Sequence, residues 1–176
     1  MELRLATRTF GPGAFAIMAD GVDDGADIAL VASDPATVLR VRAGHPGTPI
    51  AVEPDTAAQA GACVRAGADL IVGDAFAEVA ASTGAALACS SPERATGVRP
   101  DGLLVASADL VGTARLADAG LAALTDEPEQ AVMAVHAWLG ARVFRTHDVH
   151  GTRQVLDMVA SINGSRTPAV ARRGLA

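Results

Sequence analysis

Two side chains near the end of the chain have the types and spacing to hold an anion: Arg145 and His147, within Gly140-Ala141-Arg142-Val143-Phe144-Arg145-Thr146-His147-Asp148-Val149. Residues two apart on an extended strand share a face. A guanidinium offers a planar fork of donors and an imidazole adds one more. Projecting together from the C-terminal end of a strand, they suit phosphate, pyrophosphate or carboxylate. The competing reading is that both groups are solvated or ion-paired. A second set is acidic: Asp126, Glu127 and Glu129, with Asp55 and Asp74, could bind a cation or exchange protons at a barrel mouth. Asp126 and Glu127 before Pro128 also read as a helix start, with negative charge facing the positive end of the helix dipole and Thr125 as another cap.

The remaining signals are weaker. Gly11-Pro12-Gly13 has the look of a phosphate-cradling turn but lacks the spacing of a nucleotide motif. His147, Asp148 and His150 are close enough to share a metal, yet no metal site is assigned; His136 and His45 read as packing or surface residues. Cys63 and Cys89 show neither a C-x-x-C spacing nor a neighbouring His cluster, so they read as small buried hydrophobes.

The elements that must position these groups follow a repeated pattern. Gly25-Ala26-Asp27-Ile28, Gly67-Ala68-Asp69-Leu70, Gly84-Ala85-Ala86-Leu87, Gly120-Leu121-Ala122-Ala123 and Gly140-Ala141-Arg142-Val143 each place an apolar run just after a glycine that can end a helix. Apolar runs without alternation suit strands covered on both faces. Eight such runs are expected, the first at Leu3–Thr7 and the last at Val143–Phe144, separated by helices such as 57–66, 129–139 and 151–162. The expected fold is α/β, a compact (β/α)8 TIM-like barrel with shortened or missing helices, because such barrels usually need about 250 residues and this chain has 176. An open doubly wound sheet is the alternative. One domain is expected over residues 1–163, with a loose tail over 164–176 that puts Asn163 in the tail or at a helix cap.

Composition excludes several classes of function. A net charge of −6 and no basic run argue against nucleic acid. No apolar run is long enough to span a bilayer and the N-terminus lacks a signal-peptide core, so a cytoplasmic protein without membrane association is expected. The chain has no Lys and a single Asn, Asn163.

The stretch from Gly140 to Val149, followed by Thr152 and an amphipathic helix, resembles the last strand and helix of the dihydropteroate synthases, the pterin-binding enzymes, with their Arg-x-His-Asp-Val pattern. Ala19-Asp20-Gly21 through Ile28 is similar to that family's approach to its second strand. Pro49-Ile50-Ala51-Val52-Glu53 resembles the segment ending in Val-Asp-Thr, and Ala66–Ile71 the next helix-to-strand junction. The resemblance implies a barrel in which 4-aminobenzoate displaces pyrophosphate from a reduced pterin diphosphate, making a folate precursor. It implies that Arg145 and His147 bind the anionic end of the substrate, and it places Glu53, Asp74 and Asp109 as the carboxylates nearest the pterin. It also implies Mg2+, a small phosphorylated or pterin-like ligand, and either a homodimer or pairing with a full-length synthase.

The chain departs from the family elsewhere. The Asn expected at the end of strand one falls on Leu5, and the strand-four Asn on Val72 or Gly73 beside Asp74. Strand six offers no carboxylate before Asp109, and the Ser-Arg-Lys-Ser-like end of strand seven is the acidic Leu124-Thr125-Asp126-Glu127-Pro128. Unmet polar groups on a buried pterin would cost about 1–3 kcal/mol each. The expectation is a catalytically impaired or inactive binding protein; an active synthase and a non-catalytic partner subunit are the alternatives.

Overall fold

Short apolar runs cannot be buried as isolated strands, because their backbone N–H and C=O groups need partners; pairing all of them in a ring meets that demand. The computed structural model describes residues 2–126 and 129–166. A two-residue antiparallel ribbon comes first, β1 (Leu3–Arg4) and β2 (Thr9–Phe10). Then follow β3 (Ala16–Asp20), β4 (Ile28–Val31), β5 (Ile50–Val52), β6 (Leu70–Val72), β7 (Ala86–Cys89), β8 (Leu103–Ala106), β9 (Ala122–Thr125) and β10 (Ala141–Arg145). These eight are parallel and close in the order β10-β3-β4-β5-β6-β7-β8-β9. The expected barrel is therefore present, and its closure excludes the open sheet.

Six α-helices lie among the described residues: α1 (Pro35–Gly44), α2 (Ala57–Arg65), α3 (Ala77–Thr83), α4 (Leu110–Asp118), α5 (Gln130–Trp138) and α6 (Val149–Ile162). No α-helix joins β3 to β4, and the β7–β8 connection holds only two single-turn 3₁₀ segments, Pro92–Arg94 and Pro100–Gly102. Those two omissions account for a barrel of reduced length. None of the described helices is long and apolar enough to cross a membrane.

One strand differs from expectation. The first barrel strand is Ala16–Asp20, and Leu3–Thr7 is not part of the barrel wall. Leu3 and Leu5 are buried while Arg4 between them is exposed. That alternation marks a one-sided element, whereas Ala16-Ile17-Met18-Ala19 is the continuous apolar run that a doubly covered strand requires. Leu3, Leu5 and Phe10 join the barrel interior as a plug, packed with Ala16, Met18, Ile28, Leu30, Ala51, Leu70, Leu104 and Val143. The intervening residues face outward: Ile17, Ala123 and Phe144 pack with Met133, Leu156 and Val159 of α5 and α6. Phe144 also meets the Phe15 ring edge-on at 5.8 Å.

The five glycines of the repeated pattern all have positive φ, between 70° and 110°. Helices precede four of them, whereas Gly25 closes a turn. At Gly140 (φ +104°) a Cβ would lie 2.7 Å from the Ala117 Cβ, so both the backbone angle and the close approach of α4 require glycine. Of the expected tail, residues 164–166 are described. Asn163 caps the helix, its Oδ1 accepts from the Ser165 N–H at 2.9 Å, and Arg166 N donates to Ala160 O at 3.0 Å. The rest of the expected tail, 167–176, lies outside the described residues.

Candidate functional site

Along each strand every second residue points into the barrel. Continuing the interior rows one step past Met18, Ala51 and Val143 gives Asp20, Glu53 and Arg145, all at the C-terminal ends of their strands. The Arg145 guanidinium is already engaged: Nη1 donates to Glu53 Oε1 at 2.7 Å and Nη2 to Oε2 at 3.3 Å. Because β3 and β4 separate β10 from β5 in the ring, this pair is a chord across the mouth. With side chains 28% and 43% exposed it adds at most about 1 kcal/mol to stability.

The chord divides the mouth into two unlike halves. Over β3 and β4, a cleft of about 550 Å³ is lined by Asp20, Leu30, Ala32 and Ser33 together with Glu53 and Arg145. Over β6 to β9, a hollow of about 310 Å³ is lined by Val72, Ala88, Ala106 and Leu124, with Asp74 and Ser90 at its edge.

His147 is not on the strand, which ends at Arg145, so the shared strand face expected for the two is not formed. It stands at the rim, 85% exposed, with Nδ1 3.5 Å from Asp20 Oδ2. Arg145 lines the larger cleft and His147 reaches it only through Asp20. Both side chains thus face carboxylates.

The other carboxylates do not join them. Asp74 accepts from the Ser90 backbone N–H and from Ser90 Oγ, each at 2.7 Å. Those bonds, the backbone one foremost, hold its carboxyl below the ordinary value. Asp109 is the N-cap of α4, accepting from Gly112 N at 2.7 Å, and lines a separate hollow with Ser107 and Arg115. Only Glu53 of the three expected pterin carboxylates therefore shares a cavity with Arg145. Glu129 precedes α5 without a side-chain cap bond, while Glu127 and Pro128 lie outside the described residues.

The end of the first barrel strand, where Leu5 was expected, is Asp20; Leu5 is part of the basal plug. A magnesium ion needs several oxygen ligands. Among the described residues no group of three or more His, Cys, Asp or Glu is placed to hold a metal. Asp148 is instead the N-cap of α6, accepting from Gly151 N at 2.9 Å, and His150 Nε2 pairs with the Gln154 side chain at 2.8 Å.

Two features were missed from the sequence. Asp20 as the partner of His147 follows from interior parity once Ala16–Asp20 is recognised as a strand. The second is a buried polar chain between α4 and α5: His136 Nδ1 lies 2.8 Å from Thr113 Oγ1, which donates to Ser107 Oγ at 2.8 Å. No short-range pattern links those three positions.

No family model matches the chain. A segment of 46 residues is 56% identical to a Mycobacterium bovis protein named inactive dihydropteroate synthase 2, covering 26% of this chain and 14% of that protein. A Mycobacterium leprae protein of the same name is 54% identical over 46 residues, 16% of its length. The match thus spans a small part of those relatives. Among solved structures, that of Mycobacterium tuberculosis Rv1207 superposes with a TM-score of 0.81 at 29% identity, covering 96% of this chain and 99% of that one. The Coxiella burnetii dihydropteroate synthase in complex with pteroic acid gives 0.78 at 13% identity over 94% and 99% of the two chains, a likeness of fold alone.

Proposed function

We propose that the chain is a divergent, catalytically impaired relative of the dihydropteroate synthases that binds a small phosphorylated ligand at Arg145, with His147 at the rim, and does not turn it over. The observation that carries this reading is the composition of the mouth. A guanidinium stands at the end of the last strand, while the opposite half of the mouth is floored by Val72, Ala88, Ala106 and Leu124, with Asp74 and Ser90 only at its edge and bonded to each other. A polar heterocycle seated on those side chains would leave donors and acceptors unmet, at about 1–3 kcal/mol each. The only Asn caps α6, and no Lys exists to replace the missing donors. Each absent transition-state donor typically lowers the rate about a hundredfold to a thousandfold.

The test is an assay of the purified chain with a pterin diphosphate and 4-aminobenzoate, beside calorimetric titration with pyrophosphate. No pteroate is expected, and pyrophosphate binding should weaken at least about tenfold in Arg145→Ala. Pteroate formed by the isolated chain overturns the proposal.

A second reading, pairing with another copy or with a full-length synthase, draws on the outer surface of α5 and α6. Val135, Trp138, Met158 and Ile162 are 42% to 65% exposed there, more large apolar surface than solvated helix faces need. Sedimentation with and without a full-length synthase tests it; a single monomer species in both cases removes it.

A further inference from the structure

We infer that Glu53 is a latch: an internal carboxylate that holds Arg145 in place of the ligand and must swing away for an organic phosphate to bind. The inference rests on the phosphate-binding reading above and adds how the site is regulated and what body the ligand carries. Glu53 takes both guanidinium nitrogens, at 2.7 and 3.3 Å, the two-point grip a bound oxyanion would use. It is tethered one residue past β5, so it competes at an effective concentration on the order of millimolar or above. A free monocarboxylate offers Arg145 nothing that Glu53 does not. A phosphate monoester offers more, with a larger charge and three acceptor oxygens, enough for Arg145 Nη1 and Nη2 with one left over.

The chord also determines what else the ligand must have. Closed, it stands between the cleft over β3 and β4, where Asp20, Ser33 and Glu53 sit, and the hollow of Val72, Ala88, Ala106 and Leu124; open, it would join them. Leu124 pairs in register with Val143, one interior step below Arg145, so the apolar floor begins beside the guanidinium. A phosphate held by Arg145 has room on that floor for a compact apolar body, and few groups there to satisfy a polar one. The ligand class is a phosphate monoester of a small apolar alcohol.

Titration of the whole chain with inorganic phosphate and with butyl phosphate tests both parts. Butyl phosphate should bind about tenfold more tightly than inorganic phosphate, and Ala106→Gln should bring the two level. Glu53→Gln should tighten both by about tenfold, and Arg145→Ala should abolish both. Asp20→Asn removes a mouth carboxylate that does not touch Arg145, and should gain much less than Glu53→Gln. Thermal melts of each variant confirm folding. Equal gains in Glu53→Gln and Asp20→Asn, with binding still dependent on Arg145, overturn the latch and leave the phosphate site standing. Equal affinity of the wild type for the two probes overturns the apolar floor. Absence of Arg145-dependent phosphate binding in both wild type and Glu53→Gln removes the site itself.

Discussion

Asp69 Oδ2 accepts the backbone N–H of Ile50 at 2.8 Å, and Asp69 N returns a bond to Ile50 O at 2.8 Å. The same carboxylate takes the Arg42 guanidinium and, through Oδ1, the Thr7 N–H of the basal plug. Asp27 repeats the arrangement one turn of the pattern earlier, bonding Ile17 in both directions and taking Arg153 and Arg8. The acids of the Gly-Ala-Asp repeats therefore lock the start of the preceding strand. Asp69→Ala leaves the Arg42 guanidinium, 20% exposed, with backbone carbonyls but no counter-charge, and should destabilise by about 3–5 kcal/mol. Asp27→Ala should cost less, about 1–3 kcal/mol, since Arg8 and Arg153 are 48% and 32% exposed and regain water. Urea denaturation of the two variants measures the order; equal losses would show that the repeats are not graded by burial.

Gly140 and Gly84 separate two costs of placing a side chain at a helix end. Both have positive φ, but a Cβ at Gly84 (φ +76°) meets nothing within 4 Å, whereas one at Gly140 meets Ala117 at 2.7 Å. Gly84→Ala should lose about 1 kcal/mol from backbone strain alone. Gly140→Ala adds overpacking against α4 and should lose about 2–4 kcal/mol. Thermal unfolding of both variants checks the difference, and a Gly140→Ala loss no larger than that of Gly84→Ala would mean α4 yields freely.

The barrel was legible because doubly covered strands leave uninterrupted apolar runs and because helix ends demand glycine; seven of the eight wall strands follow from those two demands. Leu3–Thr7 misled because Leu-Arg-Leu is apolar at every second position, which suits a plug with one wet side. The same displacement put Leu5 where Asp20 belongs. The place of Arg145 at the barrel mouth was legible from type and position. Its engagement by Glu53 was not, because 92 residues separate them and only closure of the ring brings them across the mouth. The role of Asp109 as a cap was hidden by the expectation of a pocket carboxylate, although Asp three residues before Gly112, opening a helix, carries that signal.

Thr113 bridges Ser107 and His136, and each of the three is 8% exposed or less. Thr113→Val keeps the shape and removes the hydroxyl, leaving the His136 ring nitrogen without that partner. The expected loss is about 1–3 kcal/mol. Ser107→Ala leaves the Thr113–His136 contact intact and should cost less. Denaturant unfolding that ranks Ser107→Ala above Thr113→Val would remove the bridge from the account of how α4 is held to α5.

Asp74 supplies the pH dependence that the mouth can report. Its carboxyl is held below 3.8 first by the Ser90 backbone N–H and then by the Ser90 hydroxyl. A carboxyl lower in the folded than in the unfolded chain stabilises above its unfolded value, and that contribution disappears as pH falls through the folded one. The loss therefore lies on the acid side of 3.8, and the site's exposure to solvent and salt keeps it small. Ser90→Ala removes only the second bond, so the Asp74 carboxyl should move part of the way up and the acid loss should begin at higher pH. Carboxyl carbon NMR titration of wild type and Ser90→Ala measures this. An unchanged midpoint would show that the hydroxyl contributes nothing, and a return all the way to the ordinary value would show that the backbone bond does not hold the β6 and β7 ends together.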